Sequence, residues 1–385
     1  MIQSGFTYLS ALLFLSGLVV QLEKKFKKIF RYIPGIVLLY FLVMVFASFG
    51  VWKQTDEINL YNKQLKDNLL PVMIFLMLLR CDLRNIMKLG PRMLLGFFSA
   101  TFSICAGFII TFWLFKSHYE SHTWKAFAAL CGSWIGGTGN MAAVQLALGL
   151  TDSQMGYALL MDSVNYSIWV MVLLAGVPFA RHFNSWTGSN TDEIDRIGAK
   201  LAEGKTEKPS EMDFSHLTLL LGSSFLVSSL SGTIASFLPT TTFITVPTWT
   251  VLIATIAGIS VAMTSMGKTP GISHLANLIL FLVVALMGSR ANFSELTKAP
   301  FYIFSGFFIL LIHAIFLVFF AKIFKLDLFT CGVASLANIG GVASAPILAA
   351  AYNEVLIPVG VLMALLGYII GTGGGLAVGK ILSMI

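Results

Sequence analysis

The sequence predicts an all-α integral membrane protein made of two related halves. Of the 385 residues, 57% are hydrophobic and 11% are charged, and the mean hydropathy is +0.84. Because a soluble domain carries about 25% charged residues, this composition excludes an ordinary soluble globular protein. A glycine-rich break recurs within an apolar stretch of each half, and one polar stretch separates the halves.

Twelve apolar segments are long enough to enter a bilayer. They lie near residues 5–22, 33–51, 69–80, 91–115, 124–150, 154–180, 215–238, 246–264, 274–289, 300–321, 327–352 and 355–384. The polar stretch divides these segments six and six, and its mixed charges indicate a solvated linker. We therefore expect a first membrane repeat at 1–182, a polar cytoplasmic linker at 183–213 and a second membrane repeat at 214–385.

The first apolar segment predicts a retained span and not a cleaved signal peptide. A signal peptide carries its positive charges before the apolar run. Here the positive charges follow it, beginning with Lys24 and Lys25. Because positive residues favour the inside, the N-terminus is expected outside.

The two halves share polar landmarks as well as glycines. Residues 80–83 (RCDL) correspond to 290–293 (RANF), and the break at 135–140 (IGGTGN) corresponds to 339–344 (IGGVAS). The number of residues that separates corresponding positions of the two halves changes by only a few over one intervening loop. Such a change is typical of a diverged duplication.

The glycine breaks lie in segments 124–150 and 327–352. Glycine frees backbone polar groups that lipid cannot satisfy, so such a break persists only inside protein or beside a water-filled cavity. If both segments re-enter, most of the 25 lysines and arginines fall on the inside, as the positive-inside tendency requires. Each repeat then has five spans plus one re-entrant or broken-helix segment, and the odd number of crossings makes an inverted repeat. A broken helix that crosses the membrane stays the alternative.

Paired breaks of this kind are typical of the substrate site of a secondary transporter. We expect the polar groups around them to bind substrate. These are Gly136, Gly137, Thr138, Gly139 and Asn140 in the first break, and Asn338, Gly340, Gly341 and Ser344 in the second. Alternatively, the glycines only allow close helix packing.

Asp162 is an ionisable residue in the middle of an apolar segment, where a charge costs roughly a few kcal/mol and so requires a role. Asn165 lies one helical turn further on, and together with Asn140 these side chains could supply oxygen ligands for Na⁺. Asp162 could instead bind and release a proton, or be a structural carboxylate. Thr372 could add its hydroxyl to this ion-coupling site. Its run, 371–375 (GTGGG), is expected to open the last span and expose carbonyls, to form a thin helix face against the broken segment, or to do both.

Other polar residues favour structural roles. Arg80, Asp82 and Arg290 are expected to be caps and membrane-edge anchors, with a gate or anionic-substrate contact as the alternative. His313 stands alone in its segment, which favours an interhelical hydrogen bond over a proton carrier. The four cysteines have no metal-ligand spacing and are expected to be reduced. The sequence contains no GxxxxGK[ST], HExxH or CxxC motif, so we expect no enzyme activity and no cofactor beyond a coupling Na⁺ or H⁺.

The run 131–143 (CGSWIGGTGNMAA), with 79–84 (LRCDLR) and 334–341 (ASLANIGG), resembles the YjcL-like family of uncharacterised membrane proteins, the domain of unknown function 819. The resemblance covers nearly the whole chain. It implies kinship with the cation:proton antiporter and anion transporter superfamily. It also implies an elevator-type transporter, in which a core holding the hairpins slides against a dimeric scaffold. The second break departs from the pattern at Val342 and Ala343, where glycine would be expected, so a strictly symmetric site is not implied.

Together these features predict a secondary active transporter in the bacterial inner membrane. Its substrate would be a small organic anion, amino acid or small peptide, coupled to Na⁺ or H⁺. We expect a homodimer in the lipid bilayer and no nucleic-acid partner. A cation:proton antiporter is one alternative, although Asp162 is the only acid in a span centre. A passive channel and a non-transporting membrane enzyme or receptor are the others, and the short loops leave little room for a catalytic or ligand-binding domain.

Overall fold

The computed structural model describes residues 1–26, 30, 34–53, 55–189, 212–241, 243–291 and 299–385. Across these ranges the chain is almost wholly helical, and its β pairing is limited to an isolated bridge between Ile2 and Trp52. Part of the predicted linker, residues 190–211, lies outside the described residues, as do Asn292 and Lys298.

The first half contains nine helices among its described residues. They are α1 (Gly5–Lys25), α2 (Gly35–Ser48), α3 (Asp56–Leu78), α4 (Leu83–Ile86), α5 (Gly90–Phe115), α6 (Thr123–Gly136), α7 (Thr138–Leu148), α8 (Asp152–Gly176) and α9 (Ala180–Thr187). The second half contains seven in the ranges described. They are α10 (Phe214–Ser236), α11 (Val246–Ala262), α12 (Ile272–Gly288), α13 (Ala299–Phe324), α14 (Leu328–Ile339), α15 (Gly341–Tyr352) and α16 (Ile357–Leu382).

Within the described ranges, six helical stretches are long and apolar enough to cross a membrane. They are Gly5–Lys25, Leu83–His118, Asp152–Thr187, Phe214–Ser236, Ala299–Phe324 and Glu354–Leu382. Helices α2, α11 and α12 are also apolar but have no more than 17 residues. The protein is therefore an all-α, multi-pass integral membrane protein, as the sequence predicted.

Helix α3 begins well before the apolar segment predicted at 69–80. The Thr55 side chain accepts a hydrogen bond from the Ile58 backbone N–H at 3.3 Å, and Asp56 and Glu57 occupy the first turn. An oxygen cap and acidic residues both stabilise a helix start. The first half of α3 is polar, so a search for apolar runs finds only its second half.

Both glycine breaks form helical hairpins. The chain reverses at Gly137 and at Gly341, whose φ angles of 80° and 59° favour glycine. In the first hairpin, an ideal Cβ on Gly132 would lie 3.0 Å from the Val144 side chain. In the second, the rings of Phe329 and Tyr352 are 5.4 Å apart. Residues on either side of each break thus meet again, and the two arms of each segment run antiparallel.

The helices form two bundles. The hairpin bundle contains α5, the hairpin α6–α7, α8, α13, the hairpin α14–α15 and α16. The hairpin-free bundle contains α1, α2, α3, α10, α11 and α12. Each half of the chain gives three successive helices to the hairpin-free bundle and then two helices and one hairpin to the other.

A row of glycines on α16 brings its backbone against α6. An ideal Cβ on Gly371 would lie 2.8 Å from Cα of Gly136, and one on Gly375 would lie 2.9 Å from Cα of Gly132. Helix α16 is continuous through this run, so the expected opening of the last span is wrong. The run forms a thin helix face against the hairpin, which was the second of the two expectations.

The replacement Gly371→Ala is expected to lower the free energy of unfolding by about 1–3 kcal/mol, because the new methyl group would force α16 away from α6. Gly373→Ala is the matched control, since its Cβ position has no neighbour within 4 Å. That control should be neutral or stabilising, because alanine favours a helix more than glycine does. Thermal unfolding of both purified variants in one detergent measures the difference, and equal melting temperatures would contradict the close contact.

Candidate functional site

A cavity of about 370 Å³ lies where the tips of the two hairpins meet. Each tip contributes its reversal and the first turn of its second arm. The lining residues from the tips are Gly137, Thr138 and Gly139 of the first hairpin, and Gly340, Gly341, Val342 and Ala343 of the second. Five of the nine predicted substrate-binding residues therefore line one cavity.

Tyr368 of α16 lies between the two tips. An ideal Cβ on Gly137 would be 3.4 Å from the Tyr368 ring, and one on Gly341 would be 3.7 Å from the same ring carbon. The ring therefore separates the two reversals. Because the first N–H groups of a helix have no intrahelical acceptor, helices α7 and α15 bring unsatisfied donors to this region.

Asp162 lines the cavity and is oriented by the first hairpin. Trp134 Nε1 donates a hydrogen bond to Oδ1 at 2.9 Å, and Ser133 Oγ donates to Oδ2 at 3.4 Å. Trp134 is fully buried and packs edge-on against Phe108, with ring centroids 5.4 Å apart. The two donors on α6 thus fix where the carboxylate on α8 points.

The structure does not bring Asn165 and Asn140 to Asp162. Asn165 donates to the Ile303 carbonyl on α13 at 3.1 Å, because its position on α8 is turned from the cavity towards that helix. Asn140 accepts a hydrogen bond from Thr372 Oγ1 at 2.5 Å. The expected Na⁺ ligands Asp162, Asn165 and Asn140 therefore each bind a different partner and do not form one site.

Asn338 and Ser344 also lie outside the cavity lining. Asn338 accepts from Thr101 Oγ1 on α5 at 2.8 Å and donates to the Ala334 carbonyl at 2.8 Å. Ser344 packs against Gly340 and lines a smaller hollow of about 150 Å³ beside α8. Gly136 and Asn140 similarly face α16 instead of the cavity.

The structure adds residues that sequence reasoning missed. Glu23 from the end of α1, Asn277 from α12 and Tyr166 from α8 all line the cavity. The Glu23 carboxylate accepts a hydrogen bond from the Gly35 backbone N–H. In the sequence Glu23 stands beside a basic cluster and looks like an interface residue, so only the packing of α1 shows its position.

The remaining polar residues have structural contacts. Neither Arg80 nor Arg290 lines the cavity, and Arg290 hydrogen-bonds to Asn59. Asp82 caps α4 by accepting from the Arg84 backbone N–H at 3.0 Å, and hydrogen bonds from Arg84 lower the pKa of its carboxyl. The His313 ring nitrogens lie 2.6 and 2.8 Å from the hydroxyls of two serines, which makes it an interhelical link.

These features define a multi-pass membrane protein with a cavity that the tips of two helical hairpins and a carboxylate line in part. The chain belongs to the family described as "Protein of unknown function (DUF819)", whose model matches residues 10–385. It is similar to the uncharacterized membrane protein YjcL of Bacillus subtilis (strain 168). The two are 22% identical over 380 residues, which covers 94% of this chain and 92% of that protein. The family membership predicted from sequence is confirmed, and the wider superfamily stays a prediction.

The hydrogen bond from Trp134 to Asp162 can be measured by a double-mutant cycle. Trp134→Phe keeps a packed ring but removes the N–H, and Asp162→Asn removes the carboxylate. We expect a coupling of about 1.5–3 kcal/mol between them in unfolding free energy, as for a hydrogen bond to a charged group. Trp169→Phe is the control, because Trp169 lies on the same helix as Asp162 but donates to Ser335. Its effect should add to that of Asp162→Asn without coupling, and equal coupling in the two cycles would refute the contact.

Proposed function

We propose that this protein is a secondary active transporter that moves a small organic solute across the bacterial inner membrane. The observation that carries the proposal is one cavity lined by two hairpin tips, one from each half of the chain, and by a carboxylate. Secondary transporters place substrate and coupling-ion sites between repeats, at helices broken within the membrane. We interpret the two halves as an inverted repeat, with both hairpins re-entrant.

The division into two bundles supports an elevator mechanism. The hairpins, Asp162 and Tyr368 all belong to the hairpin bundle. This bundle would move as one body, because α16 packs backbone-to-backbone on the first hairpin. The hairpin-free bundle would then be the stationary scaffold through which a homodimer forms.

The contacts between the two bundles differ from one end of their boundary to the other. At one end the cavity reaches Glu23 and Gly35, beside the basic residues that predict the cytoplasmic side. Towards the other end the bundles are tied by polar contacts. Lys66 of α3 lies 3.0 Å from both carboxylate oxygens of Asp152, and Thr248 of α11 donates to the Ala147 carbonyl at 3.0 Å. This arrangement corresponds to an inward-facing state of the transport cycle.

The contacts of Asp162 favour a proton over Na⁺ as the coupling ion. Na⁺ requires several oxygen ligands around one point. The carboxylate instead meets an indole N–H and a hydroxyl, while Asn140 and Asn165 bind elsewhere. A cation:proton antiporter is the second candidate, because Glu23 adds a second carboxylate to the cavity.

The variant Asp162→Asn is expected to reduce solute-driven proton entry to the level of protein-free vesicles, because an amide cannot carry the proton. Reconstituted vesicles that contain a pH-sensitive dye, challenged with pooled amino acids, amines and carboxylates, provide the measurement. Glu354→Gln is the control, since Glu354 is exposed at the start of the last helical segment. Full activity of folded Asp162→Asn protein would remove this residue from the coupling mechanism.

Cross-linking tests the relative movement of the bundles. A disulfide between Ala147→Cys and Thr248→Cys joins α7 to α11 across the boundary, and we expect it to stop transport until a reductant is added. The control pair Asn68→Cys and Ser228→Cys joins α3 to α10 within the hairpin-free bundle, where the Ser228 hydroxyl lies 2.7 Å from the Asn68 carbonyl. That cross-link should leave transport intact. Unchanged transport with the first pair fully cross-linked would contradict an elevator movement.

A further inference from the structure

We propose that the cavity recognises a small organic molecule through a positively charged nitrogen, as in an amine or the ammonium group of an amino acid. That this molecule is the transported substrate rests on the proposed function. That the cavity binds it rests only on the residues that line the cavity. The proposal also narrows the sequence-based preference for a small organic anion, amino acid or small peptide to ligands that carry a positively charged nitrogen.

The charged side chains among the described residues that line the cavity are of one sign. Asp162 and Glu23 both line it, on the first half of the chain. Among the described residues that line it there is no lysine, arginine or histidine. Arg80 acts electrostatically on Tyr368 but is not part of the lining. An anionic ligand would therefore leave water to face like charge, on Glu23 and on Asp162 whenever Asp162 has released its proton, whereas a cation would offset that charge.

The aromatic rings of the cavity suit the same ligand. Tyr166, Phe281 and Tyr368 contribute to the lining, and the Tyr368 ring touches both hairpin tips. A cation is attracted to the face of an aromatic ring, most strongly where water is excluded. An ammonium group that binds between Asp162 and Tyr368 would thus contact α8 and α16, beside the two hairpin tips.

The size of the cavity favours an organic cation over a bare metal ion. Its volume of about 370 Å³ lies within the range of small-molecule sites. No group of three or more histidine, cysteine or acidic residues occurs in the described part of the chain that could hold a metal. The N–H groups of the first turn of α7 and α15 would in addition donate hydrogen bonds to the carboxylate of a zwitterion.

Charged thiol reagents measure the sign of the cavity potential without knowledge of the ligand. Ala343 is exposed to the cavity, so Ala343→Cys offers a target there. The rate at which this cysteine reacts with the cationic trimethylammonium-ethyl methanethiosulfonate is divided by its rate with the anionic sulfonatoethyl analogue. Any reaction of the parent protein is first subtracted from both rates. We expect this ratio to exceed that of a free thiol by about tenfold. Adding Glu23→Gln should reduce it severalfold, and a ratio at or below the free-thiol value would overturn the proposal.

A matched set of four-carbon ligands tests recognition directly. Putrescine, 4-aminobutyrate, succinate and 1,4-butanediol are added to the purified protein, and the melting temperature is recorded. We expect the two ammonium-bearing compounds to stabilise the protein and the other two to have no effect. Stabilisation by succinate in preference to both amines would overturn the proposal. If none of the four compounds binds, the ratio of the two labelling rates alone supports or overturns the proposal.

The two proposals fail in different ways. Binding and labelling are measured in detergent, so a protein that passes both tests but shows no ion-driven uptake in vesicles would refute transport and leave the ligand class standing. A protein that carries a dicarboxylate in vesicles and shows no preference for the cationic reagent would refute the ligand class and leave transport standing.

Discussion

The structure depends on the contact between two helix backbones that have no side chains between them. Glycines at every fourth position of α16 meet Gly132 and Gly136 of the first hairpin, and the ideal Cβ positions fall less than 3 Å from backbone atoms. Without a hydrophobic driving force between helices in lipid, such close van der Waals packing is a main source of association. It places Thr372 against Asn140 and positions Tyr368 between the hairpin tips.

The hairpins exist because a membrane allows a helix to end only where its polar groups find partners. The arms of the first hairpin have 14 and 11 residues, against 26 in α16. At about 1.5 Å per residue each arm reaches roughly half the length of a spanning helix. If both hairpins are re-entrant, as proposed, both tips would stop at mid-depth, where the ends of four half-helices would meet the cavity instead of hydrocarbon. The cavity would then satisfy these helix ends as well as being a candidate binding site.

The sequence predicted the features that depend on composition and on local backbone chemistry. The membrane class and both breaks follow from apolar runs and paired glycines, and an acid in an apolar segment singled out Asp162, which lines the cavity. The start of α3 at Asp56 was missed because its first turns are polar. A cap such as Thr55, followed by two acidic residues, was the available signal.

The side-chain partners could not be predicted, because they depend on which helix is the neighbour. Asn165 lies one turn from Asp162, yet the difference in direction is enough to place it against α13. Asn338 is adjacent to the second break, yet it faces α5. Glu23 reaches the cavity only because the end of α1 packs beside it, and no periodicity in the chain records that contact.

In the proposed inward-facing state, a cavity that opens beside Glu23 and ends at the hairpin tips would shape the electrical profile of the membrane. An aqueous hollow conducts, so it extends the potential of one compartment to mid-depth, and the voltage then falls across the thinner closed layer beyond the tips. The electrostatic energy of one elementary charge changes by about 2.3 kcal/mol for every 100 mV of membrane potential when the charge crosses that layer. A cargo cation entering the cell would therefore be drawn inward by the resting voltage over a distance much shorter than the bilayer thickness.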